Sequence, residues 1–362
     1  MAKKSAKTNV MVILAVTVIV AIVGGVIYFK NRTTGPVEAK PRDKITLQLK
    51  WVPQAQFAGY YVALKKGYYT DENIDVTMKE GGVGINPVDV LVAGDSDIAV
   101  AWTGNVLPAI AKGEDIVNIG QGFQSSGMVL VAKKSSGILA PADIAGKKIG
   151  VWTGGNETEP FAFIAQQGLD RDKDVKIVSE AFDMNQLLNN EIDLASAMTY
   201  NELELVYEAG LKPADLTIFN LQDLGAGMLQ DALFVKRDFL NKNQDLLVRF
   251  LRATMKGWDY AVTHQTEAVD LIGMDFTAND VTAKEHQIKS MAAIAKLVVA
   301  DKGTTQGLFY IDTTKLQKTL EIAQKYVKEV KEGQPIELKN IYTNDIWTKA
   351  KEGVTFSNYS SF

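Results

Sequence analysis

The residues best equipped for chemistry are rings and amides crowded into residues 51–69: Trp51, Phe57, Tyr60, Tyr61, Tyr68 and Tyr69, with Gln54 and Gln56 among them. Aromatic rings stack on a flat ligand and amides donate and accept at its edge, so the chemistry on offer is recognition of a planar heterocycle. Three further groups complete such a site. Trp102 and Asn105 share one short stretch, Trp152 precedes a loop carrying Asn156, Glu157 and Glu159, and Tyr200, Asn201 and Glu202 are consecutive. A carboxylate accepts from an amino group and a neighbouring ring N–H, while an asparagine beside it both donates and accepts. Each group also has a structural use. Single tyrosines pack in cores, and Asn156, Glu157 and Asn201 suit helix N-termini by capping and by the helix dipole. The two uses are compatible.

Other chemistries are excluded by composition. The chain has no cysteine, and His264 and His286 are its two histidines. Disulfides, thiolate metal sites, a cysteine nucleophile and histidine-rich metal centres therefore fall away. Both histidines read as surface or helix-end residues, and neither a metal nor a cofactor is expected. The net charge of -4, without a dense basic patch, gives no reason to bind nucleic acid. Gly81, Gly82 and Gly84 form a glycine-rich turn lacking the lysine and hydroxyl of a phosphate loop, so the chain is not expected to hydrolyse ATP.

The elements that must position these residues follow from periodicity. Residues 45–51 alternate apolar and polar and read as a strand that Pro53 stops, with a helix from about Phe57 to Gly67. Strands at 74–78 and 97–102, with a helix at 87–93 between them, extend this to a βαβαβ unit and a parallel sheet. A second such unit has strands at 149–152, 175–178 and 194–198, with helices from Phe161 and around 184–190. An apolar run at 232–235 precedes helix-period segments at 238–263, 279–300 and 313–331. The ring and amide groups thus fall just beyond strand ends, where open α/β sheets collect ligands. The expected architecture is α/β and bilobal. One lobe takes residues 44–134 and 232–330, the other residues 135–231, two crossovers form a hinge, and residues 331–362 are a C-terminal extension.

The first residues carry a different signal. Residues 10–28 are almost uninterruptedly apolar and follow Lys3, Lys4 and Lys7, a length that spans a bilayer. Lys30, Asn31 and Arg32 come next instead of a small-residue cleavage site, so residues 1–30 read as an uncleaved anchor and residues 31–43 as a flexible tether. This predicts a single-pass protein of the cell membrane, held in lipid by residues 10–28, with its binding domain extracytoplasmic.

Residues 51–69, the Gly94-Asp95-Ser96-Asp97-Ile98-Ala99 stretch, residues 139–152 and residues 197–202 together resemble the substrate-binding proteins for thiamine pyrimidine precursors. That family also holds the thiamine pyrimidine synthases and a riboflavin-binding branch. The resemblance implies a type II periplasmic-binding-protein fold and a binding protein of an ABC importer, closing on a thiamine pyrimidine precursor and passing it to a permease. Phe57, standing where the family has a histidine, and the Gln54–Phe57 phrase keep riboflavin as the alternative ligand. An aliphatic sulfonate or nitrate is weaker, because the strand ends carry rings and carboxylates rather than arginine. The synthase branch departs from this chain at its reactive positions. Ala101 stands in place of the lysine that binds pyridoxal phosphate, Asn105 in place of the donor histidine, and residues 226–230 carry no thiol. A Schiff base needs a primary amine at its position, so the resemblance implies binding rather than catalysis.

Overall fold

The alternation at residues 45–51 becomes β1 (Asp43–Gln48), which buries Ile45 and Leu47 and leaves Lys44 exposed. The computed structural model describes residues 41–82, 84–276, 283–360 and 362. The expected anchor at residues 1–30 lies outside them, and no helix among the described residues is long and apolar enough to cross a membrane.

The other described strands are β2 (Ile74–Lys79), β3 (Ile98–Ala101), β4 (Ile116–Gln121), β5 (Met128–Lys133), β6 (Lys148–Val151), β7 (Lys176–Ser179), β8 (Ala195–Met198), β9 (Leu216–Asn220) and β10 (Ala232–Lys236). One sheet has the order β2-β1-β3-β10-β4, with β2 and β3 parallel to β1 and β10 antiparallel to both its neighbours. A second has the order β8-β5-β9, antiparallel throughout, and β6 pairs parallel with β7. The N–H of Gly150 in β6 donates to the carbonyl of Leu194 at 2.8 Å, which ties that pair to the edge leading into β8.

This departs from two purely parallel units. The strands β4, β5 and β9 are additional, and β5 is buried on both faces, so its apolar run shows no alternation to read. Because β5 pairs with β8 and β9, the chain leaves the first sheet at residues 122–127 rather than after 134, and it returns at residues 221–231. The C-terminal stretch is also more integrated than an extension. The N–H of Asn118 in β4 donates to the Ile341 carbonyl at 2.8 Å, and Trp347 Nε1–H donates to the Leu308 carbonyl at 2.8 Å.

The helices that bear on the cleft are, in chain order, α1 (Ala58–Lys65), α2 (Pro87–Ala93), α3 (Thr103–Ala111), α4 (Thr158–Gln166), α5 (Glu202–Glu208), α6 (Gln244–Thr263) and α7 (Lys284–Val299). Of these, α1 to α5 follow strand ends, and α6 and α7 belong to the helical run after β10. The α2 bounds follow from local chemistry. Asn86 caps it by accepting from the Val88 N–H at 3.1 Å, Pro87 fills its first position, and Gly94 ends it at φ 82°. α6 buries Leu247, Leu251, Met255, Trp258 and Val262 along one stripe. It crosses α1 at glycines: a Cβ on Gly59 would fall within the Trp258 indole, and one on Gly257 would strike the Gly59 carbonyl. Trp258 meets Tyr60 edge-on with ring centroids 5.6 Å apart, and Phe123 links Trp258 to Tyr200.

Candidate binding cleft

The ends of β1, β3, β6 and β8 surround a cavity of about 330 Å³, counting its mouth. Behind β1, the loop after β2 approaches closely enough that a Cβ on Gly81 would sit 2.6 Å from the Leu49 carbonyl, and the Gly81 N–H donates to the Trp51 carbonyl at 3.0 Å. Only glycine permits that approach, which holds the segment bearing Lys50 and Trp51 against the cavity.

On this first wall the polar groups form a chain. Gln54 Nε2–H donates to Gln56 Oε1 at 2.6 Å, Gln56 Nε2–H to Asp231 Oδ2 at 2.8 Å, and Trp102 Nε1–H to Asp231 Oδ1 at 2.7 Å. Asp231 ends the second crossing in a left-handed conformation, φ 49°, and burial pushes its carboxyl up to about 6 against the hydrogen bonds from Gln56 and Trp102 and the charge of Lys50. Lys50 is 2% exposed, with Nζ 4.9 Å from the centroid of the Trp102 ring. Burial lowers its ammonium to about 8, opposed by the carboxylates of Asp231 and Glu157.

The facing wall is set by β6 and β8. Glu202 at the start of α5 accepts from the Met198 N–H at 2.9 Å and from Asn201 Nδ2–H at 2.7 Å, and burial raises its carboxyl to about 7. Asn201 Oδ1 lies 2.8 Å from His286 Nε2, so α7 braces this wall from behind. Trp152 Nε1–H donates to the Ala181 carbonyl at 3.1 Å, which fixes the plane of its ring.

Eight of the expected residues line the cavity: Trp51, Gln56, Trp102 and Trp152, and with them Asn156, Tyr200, Asn201 and Glu202. Five do not. Phe57 and Tyr60 are core residues: Tyr60 meets Trp258 of α6, and the turn at residues 55–57 that carries Phe57 packs against α7 and the helix at residues 265–272. Phe57 therefore says nothing about ligand size. Glu159 is buried elsewhere, accepting from Ser126 Oγ–H at 2.6 Å, Gln230 Nε2–H at 2.7 Å and the Met228 N–H at 3.1 Å. It joins α4 to both crossings, and burial lifts it to about 7 against those three hydrogen bonds. Asn105 and Glu157 line an adjoining groove instead: Asn105 Oδ1 accepts from Thr158 Oγ1–H at 3.4 Å, and Glu157 accepts from the Gly155 N–H at 2.9 Å. His286 sits near a helix start as expected, but it is buried.

Lys50 and Met198 line the cavity without having been singled out, and Asp231 organises one wall from behind it. Lys50 continues the polar face of Thr46 and Gln48 in the strand alternation, so its sequence context gave no signal.

The protein has a mixed α/β fold of the periplasmic-binding-protein kind. It superimposes on the ligand-binding component of an ABC-type import system from Staphylococcus aureus with a TM-score of 0.63 and 12% identity, covering 85% of this chain and 99% of that one. More narrowly, the chain belongs to the NMT1/THI5-like family, whose model matches residues 54–268. Among its relatives, 4-amino-5-hydroxymethyl-2-methylpyrimidine phosphate synthase of Legionella pneumophila is 26% identical over 234 residues, 64% of this chain and 73% of the relative. The formylaminopyrimidine-binding protein of Halalkalibacterium halodurans is 22% identical over 235 residues, 64% of this chain and 70% of the relative. The riboflavin-binding protein RibY of Chloroflexus aurantiacus is 26% identical over 238 residues, 63% of this chain and 65% of the relative.

Proposed function

We propose that this protein is the extracytoplasmic substrate-binding protein of an ABC importer, tethered by its N-terminal segment, and that it captures a thiamine pyrimidine precursor by closure of two lobes about the crossings at residues 122–127 and 221–231. The observation that carries the reading is the cavity itself. Three indoles, Trp51, Trp102 and Trp152, border it together with Gln56, Asn156 and Glu202, a combination that stacks on a flat ring and reads its polar edge. The pyrimidine-binding relative from Halalkalibacterium supports the same ligand class.

The protein acts in this reading as a binder and not as a synthase. Ala101 is buried within β3, Asn105 lies in the adjoining groove, and no histidine lines the cavity. Delivery to a permease follows from the importer role.

Riboflavin is the second reading, favoured by the likeness to RibY and by the three indoles. Thermal unfolding of the full-length chain, purified in mild detergent, against hydroxymethylpyrimidine, formylaminopyrimidine, thiamine and riboflavin separates the two. A ligand at a hundredfold excess over its Kd stabilises the fold by about 2.7 kcal/mol. A raised Tm with a pyrimidine alone is expected. A shift with riboflavin alone, accompanied by quenched flavin emission, moves the assignment to the flavin, and no shift with any of the four overturns both.

A further inference from the structure

We infer that Lys50 is the specificity-determining donor of the cleft, and that the ligand it selects presents a carbonyl oxygen to it. The inference rests on the binding reading above and sharpens it to one atom of the ligand.

The side chain sits at the end of β1, between Leu49 and Trp51, and lines the cavity. Its Nζ is buried and has no hydrogen-bond partner among the described residues. An ammonium has three donors and no acceptor, and a buried charge without partners is among the costliest groups a fold can carry. Asp231, which accepts from Trp102 at Oδ1 and from Gln56 at Oδ2, acts on it through charge and not through a hydrogen bond. The Trp102 face offers the cation a ring but no lone pair.

Tyr200 and Trp51 aside, the other polar side chains of the cavity bond to protein groups. Gln54 and Gln56 are spent on one another and on Asp231. Asn201 bridges His286 and Glu202, and Asn156 Nδ2–H reaches the Thr153 carbonyl at 3.4 Å. Lys50 therefore brings the one charged donor of the cavity that is buried without a partner among the described residues, while the Glu202 carboxylate, held by Met198 and Asn201, keeps lone pairs for ligand N–H groups. A ligand matching both has an acceptor oxygen at one edge and an amino group at another.

Charge decides the kind of oxygen. Asp231 and Glu157 act on Lys50, and Glu202 shares the cavity, so carboxylates outnumber the single ammonium. A phosphate dianion would meet net repulsion, whereas a neutral carbonyl gains a charge-assisted hydrogen bond without adding charge. Among thiamine pyrimidine precursors this favours the formylated amine.

The test compares the full-length wild type with Lys50→Met, which keeps the length of the side chain and removes the charge. Calorimetric Kd values are measured for formylaminopyrimidine and for an analogue with methyl in place of the formylamino group. The substitution is expected to weaken the formylated ligand roughly 10- to 100-fold and to leave the methyl analogue within about twofold. No loss, or an equal loss for both ligands, overturns the assignment. Should the wild type bind neither compound, the pyrimidine reading fails by itself, and Lys50 is decided by NMR titration of its side chain in ligand-free protein, with Lys50→Met assigning the signal. A titration well below the ordinary lysine value of about 10.4 supports an unpartnered donor, and an ordinary value overturns it.

Discussion

Replacing Glu159 with glutamine should change stability by an amount that depends strongly on pH. In the folded protein burial raises this carboxyl from 4.5 to about 7. A carboxyl with a raised folded value binds more protons folded than unfolded between those two values, so its contribution favours the fold at low pH and is lost as pH rises to about 7. At 1.36 kcal/mol per pH unit the full displacement corresponds to about 3.4 kcal/mol, most of which is lost between pH 5 and pH 8. Glutamine does not titrate. It also supplies one acceptor oxygen where Ser126, Gln230 and Met228 together direct donors at two, so it costs about 1–3 kcal/mol at any pH. Urea unfolding of the wild type and of Glu159→Gln at pH 5 and pH 8 gives two stability gaps, and every other titrating group cancels in their difference. The gap should move in favour of glutamine by about 2–3 kcal/mol on going to pH 8. Equal gaps at the two pH values would refute the claim that this carboxyl is held in a desolvated clamp.

Two other perturbations address the core and the question of catalysis. Gly59→Ala should lower stability by about 3 kcal/mol or more, because the new methyl occupies the space of the Trp258 indole where α1 crosses α6; an unchanged urea midpoint would contradict that crossing. Incubation with pyridoxal phosphate followed by borohydride reduction should leave Lys50 unlabelled on peptide mapping by mass spectrometry, since the amine is 2% exposed, stacked on Trp102 and beside carboxylates that repel the phosphate. A reduced adduct at Lys50 would reopen aldimine chemistry in the cleft.

Where the determinants are local, the sequence was readable. Helix α2 carries its cap at Asn86, its first-turn proline and its terminating glycine within nine residues of chain, and the structure has the bounds that these imply. The tryptophans at 51, 102 and 152 were recognisable as strand-end residues because alternation and apolar runs lead into them. What failed depends on partners distant in the chain. The antiparallel placement of β10 between β3 and β4 is a matter of pairing, which periodicity does not encode. Glu159 looked like a ligand contact because Ser126, Met228 and Gln230 come from two other segments. Phe57 looked like a cleft residue because the helices that bury the entering turn, at residues 265–272 and 284–299, lie more than two hundred residues further along the chain. Lys50 was the opposite case, an unremarkable residue of a regular strand that became exceptional when three other segments closed over it.

The pairing of β4 with β10 has a consequence for the modularity of the molecule. Gln121 and Ala232 are direct partners across that ladder, and Val129 and Asn220 are partners across β5 and β9. Everything between residues 121 and 232 is thus spliced into what would otherwise be the tip of a hairpin, with the splice points already side by side. A short turn joining Gln121 to Ala232 would close the host as a continuous sheet, and the insert could be exchanged between relatives without disturbing the host's strand order. Evolution could have changed the second half of the cleft as a cassette, retaining the wall that carries Lys50 and Trp51 while renewing the one that carries Trp152, Asn201 and Glu202.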